Sequence, residues 1–358
     1  MSVQQAKLDG QRVLITGGTG SFGKRAAQMI LEQCNPARLV IFSRDELKQS
    51  QMQADPVFAP HADKLRFFIG NVRDRERLQR AFDGMDIIIH AAALKQVPAA
   101  EYNPFEAVKT NVIGAQNIID CAIDRGVKRI IALSTDKAAN PVNVYGATKL
   151  CSDKLFVAGN AYTGSRDLRM AVVRYGNVVG SRGSVIPLFL KQRKKRRISI
   201  TDERMTRFWI TLDQGVRFVM KALTITQGGE IFVPKIPSMR ILDLARAIAP
   251  DAQVDTVGIR PGEKLHEIMV PEDDARSTVE LDDYFVILPF AQEARAVQQH
   301  WRKLGTACPD RFRYSSETNP HWLTDNELAE MISDLDLPEA REWIEERAGV
   351  SRIYPRTV

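Results

Sequence analysis

A short β-branched run, Arg12–Thr16, passes directly into Thr16-Gly-Gly-Thr-Gly-Ser-Phe-Gly23 and then into a helical pattern. Gly17, Gly20 and Gly23 fall at three-residue spacing. Backbone without Cβ can approach a pyrophosphate closely, and the helix that follows turns its free N–H groups toward an anion. A glycine triplet alone could be a plain tight turn. Between a strand and a helix, at the head of a βαβ unit, it predicts a dinucleotide site.

The alternation continues down the chain. Strands are expected at Arg12–Thr16, Leu39–Ser43, Leu65–Gly70, Asp86–Ala91 and Arg129–Ser134, with helices starting near Phe22, Asp45, Asp74 and Pro104. In the last of these, Ala107, Asn111 and Ala115 share a face at helical spacing. Near-continuous apolar strands separated by helices predict an α/β fold, a Rossmann-type doubly wound parallel sheet. A helix from Asn143 to about Tyr162 and a strand at Arg169–Arg174 extend this domain over 1–175. After Tyr175, Gly176, Gly180, Gly183 and Pro187 punctuate a loop-rich stretch, and later runs such as Ile231–Val233 stand isolated. A smaller C-terminal region over 176–358 is expected, with the chain returning once to the first domain around 208–234. Thr324-Asp-Asn-Glu327, ahead of Leu328, Met331, Ile332 and Leu335, is a capping box opening an amphipathic helix.

Composition removes several classes of function. Cys34, Cys121, Cys151 and Cys308 lie far apart with no CxxC pair, so no disulfide scaffold or metal site is expected and the cytoplasm is the default compartment. No stretch approaches the roughly 20 apolar residues of a membrane span. The first apolar run, Val13–Ile15, ends in glycines and cannot be the core of a signal peptide. The formal charge of +6 permits an anionic partner without naming one. The basic run Lys191–Arg197 reads as a solvated helix end. No nucleic-acid module or aromatic stacking pattern accompanies it.

The second strand ends at Phe42-Ser43-Arg44-Asp45-Glu46. An NAD site usually places a carboxylate at that tip, for the ribose 2′-hydroxyl. Here Ser43 and Arg44 stand there, and arginine suits a 2′-phosphate, which favours NADP. Ser43 and Glu46 could equally form a capping box for the next helix, and both readings can hold together. The third strand leads into Gly70-Asn71-Val72, and the fourth into His90-Ala-Ala-Ala-Leu-Lys95, whose small residues leave room for a flat cofactor. His90 has no metal partner nearby in sequence and reads as structural.

The fifth strand ends in Ser134-Thr135-Asp136-Lys137, followed by Tyr145-Gly-Ala-Thr-Lys149. Four apart on a helix, Tyr145 and Lys149 share a face. A nearby ammonium lowers the phenol pKa, so the tyrosine can remove an alcohol proton while hydride leaves the same carbon.

Together these segments resemble the extended short-chain dehydrogenase/reductases, and more narrowly the inverting UDP-N-acetylglucosamine 4,6-dehydratases of the pseudaminic acid pathway. The resemblance is carried by Gly17–Gly23, Phe42–Gln49, His90–Pro98, Leu133–Phe156, Val173–Pro187, Ile200–Ile210, Gly229–Ser238 and Gly258–Glu267, with Tyr314-Ser-Ser and His321-Trp-Leu matching near the C-terminus. Thr135-Asp136-Lys137 is its most specific element, because retaining relatives typically carry Thr-Asp-Glu there. Asn71 departs from the family's usual Asp near the adenine.

The resemblance implies an NADP cofactor held by Gly17, Thr19, Gly20, Ser21, Phe22 and Gly23, by Ser43, Arg44, Asp45 and Lys48, and by Asn71 and Val72. Ala91, Ala93, Lys95, Asn111, Tyr145 and Lys149 would complete that site. It implies catalysis by Asp136, Lys137, Tyr145 and Lys149. The UDP-sugar would be met by Lys95, Thr135, Tyr145, Asn177, Arg207, Arg260 and Glu263; Arg174 falls in a matching segment but most readily serves structure. Lys137 would be the base at C5 and Asp136 the acid toward the C6 hydroxyl. A lysine base must be neutral, so its pKa would fall from about 10.4 toward about 7–8. The implied product is UDP-2-acetamido-2,6-dideoxy-β-L-arabino-hex-4-ulose, a first step toward pseudaminic-acid-type sugars, made by a homo-oligomer. Three alternatives stay open. A sugar-nucleotide epimerase would use only the Tyr–Lys pair, a retaining 4,6-dehydratase would keep the D configuration, and a non-catalytic NADP-binding sensor predicts a broken pair, which here is intact.

Overall fold

The structure, a computed structural model, describes residues 8–181 and 184–353; Gly183, expected to punctuate the loop after Tyr175, lies outside them. The chain divides into two compact units. The first comprises Met1–Tyr175, Asp213–Lys235 and Ile268–Arg313, and the second Gly176–Leu212, Ile236–Glu267 and Tyr314–Val358. The sequence pattern predicts one return to the first unit; the structure contains two.

Among the described residues the first unit carries a ten-stranded sheet. Its centre is β1 (Arg12–Thr16), β2 (Arg38–Ser43), β3 (Leu65–Ile69), β4 (Ile87–His90), β5 (Arg129–Thr135) and β6 (Arg169–Tyr175). These lie in the order β6-β5-β4-β1-β2-β3, all parallel. Val13, Leu14, Ile15, Ile88, Ile130 and Val172 are fully buried, as expected for strands covered on both faces. Ile231–Pro234 is not isolated: it adds parallel to β6. Beyond it Tyr284–Ile287, Thr278–Glu280 and Thr306–Ala307 pair antiparallel. Runs this short show too little alternation to be read as strands from sequence.

Because the central strands are parallel, the chain leaves β1, β2, β4 and β5 at one edge. Thr16 pairs with Phe42 and His90, and His90 with Ala132. The strand order reverses between β1 and β4, the crevice where open α/β sheets bind ligands. Two helices frame it: α1 (Ser21–Gln33) and α2 (Val144–Gly159).

In the second unit, Thr206–Ile210 pairs with Ser238–Arg240 and Asn177–Val178, and Arg197–Ile200 with Gln253–Thr256. Its core gathers Phe189, Trp209, Leu244, Leu328, Ile332 and Trp343. The capping box at Thr324 and Glu327 is present. Most of the basic run is exposed, as expected of a solvated helix end, and it closes ion pairs within this unit. Arg193 meets Glu346 at 2.5 Å, Lys194 meets Glu342 at 2.7 Å, and Arg197 pairs with Asp255.

Candidate active site

The glycine loop is built for close approach. Gly17 has φ +67, and a Cβ there would lie 2.9 Å from the Ala92 nitrogen; a Cβ on Gly23 would lie 2.5 Å from Gly18 Cα. No side chain caps the N-terminus of α1, so its first N–H groups remain open to an anion. At the tip of β2, Ser43 is buried and accepts from Gln49, while Arg44 is exposed. The next helix is capped by Asp45, which accepts from Lys48 N at 3.0 Å, and not by a Ser43–Glu46 box. Arg44 therefore stands clear of the cap. Asn71 Oδ1 accepts from Arg73 N at 3.1 Å, so it already holds its own turn, and Val72 packs toward Gly114. Ala91 and Ala93 are half-buried; Lys95 is exposed, with its pKa lowered by partial burial of its ammonium.

Asn111 lies in a π-helical segment, Val108–Ile113, rather than in a continuous α-helix. Its side chain accepts from Leu94 N (2.8 Å), donates to Leu94 O (2.9 Å) and donates to Thr148 Oγ1 (3.0 Å). One widened turn thus ties the loop after β4 to α2, a use of π-turns common at functional sites.

At the end of β5 successive side chains point to opposite faces. Ser134 turns inward and donates to Asp153 Oδ2 at 2.7 Å; it does not join Tyr145. Thr135 does: its hydroxyl donates to Asp136 Oδ1 at 2.9 Å and shares a hydrogen bond with Tyr145. Lys137 Nζ donates to the same Asp136 oxygen at 2.9 Å, with Asp136 fully buried and the lysine side chain 25% exposed. Burial pushes the Tyr145 phenol up to about 12, while the Lys137 charge and the Thr135 bond pull it down. Lys149 is the cation expected beside the phenol, and Lys137 acts on it as well. Lys149 is itself buried, its pKa lowered by desolvation and supported by Asp153.

Two arginines from segments that carry the resemblance, Arg174 and Arg207, are engaged inside the protein. Arg174 is buried, bound to Asp153 and to the carbonyl of Met269. Arg207 donates to the carbonyls of Thr206, Leu265 and Lys264, which occupies its fork. For Arg174 this is the structural role the sequence favours. In the second unit Arg260 is exposed beside Glu263 (3.8 Å), whose Oε2 is buried without a hydrogen-bond partner, an acceptor suited to a hydroxyl donor. Asn177 is half-buried on its short strand. Asp153 was missed by sequence reading. Its signal was a carboxylate four residues beyond Lys149 on the same helix face.

Residues 13–289 match the family profile described as "Polysaccharide biosynthesis protein". The chain belongs to this family. Among relatives of this chain, one from Campylobacter jejuni named "UDP-N-acetylglucosamine 4,6-dehydratase (inverting)" is 52% identical, covering 91% of this chain and 98% of the relative. One from Rickettsia canadensis named "UDP-glucose 4-epimerase" is 41% identical over 77% of this chain and 82% of its own. Among solved structures, Pen from Bacillus thuringiensis is 34% identical with a TM-score of 0.82, covering 91% of this chain and 98% of that one. Among the described residues no helix is long and apolar enough to cross a membrane.

Proposed function

We propose that this chain is a hydro-lyase that removes water across C5 and C6 of UDP-N-acetylglucosamine after oxidation at C4, and inverts C5. The observation that carries this reading is the Asp136–Lys137 pair, joined at 2.9 Å and linked through Thr135 to Tyr145. The 52% identity to a relative named for this reaction supports it.

The glycine cradle, the open N-terminus of α1 and the exposed Arg44 fit a nicotinamide dinucleotide, and Arg44 favours the 2′-phosphate of NADP. Such a group, when bound, supplies reversible hydride transfer with no net redox change. Tyr145 takes the proton of the C4 hydroxyl, and Lys149 supports it from the next turn. The C4 ketone acidifies the C5 hydrogen. A single proton transfer along the Lys137–Asp136 bond leaves a neutral amine and a protonated acid, the two forms this step requires. Lys137 then removes the C5 proton, and Asp136 protonates the departing C6 oxygen. Lys95 and Thr135 are assigned to the sugar, and Asn177, Arg260 and Glu263 to the nucleotide; Arg207 supports the Leu265 segment beside them. We assign the product to a route toward pseudaminic-acid-type sugars and the enzyme to the cytoplasm, working as a homo-oligomer.

The relatives named as epimerases favour a second reading, C4 epimerisation, which leaves Asp136 and Lys137 without a role. Incubation with UDP-N-acetylglucosamine in deuterated water, followed by NMR, separates them. The expected product is the L-arabino 4-keto-6-deoxy sugar with one deuterium at C5. A C4 epimer supports the second reading, a retained D configuration moves the chain to the retaining branch, and no turnover refutes both. Lys137→Ala is expected to keep ligand binding and lose dehydration.

A further inference from the structure

Tyr145, Lys149 and Asp153 recur every four residues along α2, which puts all three on one face. Lys149 is 3% exposed and Asp153 1%. An ammonium so deeply buried loses its charge unless an anion or fixed dipole compensates it. The groups around it can be named element by element. On β4 is His90, fully buried, its pKa driven down to about 3 by burial and by Lys149, so it is neutral. On β6 are Arg174, bound to Asp153 at 3.2 Å, and Tyr175, whose phenol is raised by burial. On the turn after β5 are Asp136 and Lys137, already joined to each other. On α2 itself are Tyr145 and Asp153.

Of these, Asp153 carries the negative charge on the lysine's own helix face, and it is clamped. Ser134 donates to Oδ2 at 2.7 Å and Arg174 at 3.2 Å, and Arg174 is in turn fixed to the carbonyl of Met269 at 3.0 Å. We propose that Asp153 is a positioning residue of the Tyr145–Lys149 pair: held by Ser134 and Arg174, its carboxylate keeps the buried Lys149 ammonium charged and aligned with the tyrosine. Arg174 shares the same carboxylate, so Lys149 receives only part of its field. This inference deepens the function proposed above and rests on it for its catalytic meaning, but its test does not.

The experiment is a titration of the Lys149 side-chain nitrogen by NMR in 15N-lysine-labelled full-length chain, its signal identified by loss in Lys149→Arg. The wild type is expected to hold Lys149 charged at pH 7. Asp153→Asn, nearly isosteric, is expected to move the midpoint down by about 1–3 pH units. Ser134→Ala removes a hydrogen bond but no charge, and its midpoint is expected to stay close to wild type. A wild-type Lys149 already neutral at pH 7 overturns the proposal without any variant. So does an unmoved midpoint in folded Asp153→Asn, or an equal shift in Ser134→Ala, which would point to packing alone. A moved midpoint in a chain that does not turn over UDP-N-acetylglucosamine supports this inference and removes the proposed function instead.

Discussion

Replacing Gly23 with alanine puts two opposing effects at one atom. Gly23 lies in the first turn of α1, where alanine is favoured over glycine by up to about 1 kcal/mol. The new Cβ, however, would sit 2.5 Å from Gly18 Cα and 2.6 Å from Gly18 C and O, all backbone atoms of the phosphate loop. No flexible side chain can yield, so the helix must move off the loop, at the upper end of the roughly 1–3 kcal/mol range for overpacking. The net expectation is a loss of about 2 kcal/mol, with dinucleotide binding weakened because loop and helix no longer share one geometry. Gly215 supplies the control, since it is helical in the same unit and a Cβ there meets nothing within 4 Å. Gly215→Ala should stabilise by about 0.5–1 kcal/mol. Urea midpoints and cofactor titration by fluorescence read both variants. If Gly23→Ala matches Gly215→Ala in stability and binds cofactor like wild type, the steric argument is wrong.

Arg44→Ala should weaken NADP binding more than NAD binding; equal losses in calorimetric titrations would remove the 2′-phosphate assignment. Glu230 is fully buried and accepts from Thr226 Oγ1, Gln227 N, Gly228 N and Trp301 Nε1. Glu230→Gln turns one acceptor into a donor facing donors, so a loss of about 1–3 kcal/mol in urea unfolding is expected, and an unchanged midpoint would contradict it. Burial alone would raise the Asp86 carboxyl, but hydrogen bonds from Arg12 and Lys128 outweigh it and hold the folded pKa below the ordinary value. Its contribution is therefore present above the unfolded pKa of about 3.9 and lost as pH falls through the folded value. Asp86→Asn should be less stable than wild type near neutrality and converge with it in acid; parallel pH–stability curves would exclude this linkage.

The glycine loop and the first six strands were legible because backbone approach and two-sided burial each demand particular residue types. Ser134's bond to Asp153 was not legible, since a strand end placed one residue early exchanges one face for the other. The π-turn at Val108–Ile113 uses residues that an α-helix would also accept, so Asn111 kept its place in the helical pattern while its partners stayed hidden. Arginine type reports charge but not direction. Arg174 and Arg207 spend theirs on a buried aspartate and on carbonyl groups, while Arg44 and Arg260 are exposed. The antiparallel strands between Thr278 and Ile287 span three and four residues, too few for a period to register.

The three-segment make-up of the first unit governs the order in which a growing chain can fold. As residues emerge from the ribosome, β6 appears with one edge bare, and Ile231–Pro234, which will pair with that edge, follows only after Gly176–Leu212 of the other unit has been made. The antiparallel strands come later still, behind Ile236–Glu267. During synthesis the nascent sheet therefore presents a long parallel edge able to capture a neighbouring nascent chain. Slowing elongation between Tyr175 and Ile231 should lengthen that exposure and lower the soluble yield, even though no residue of the finished protein has changed.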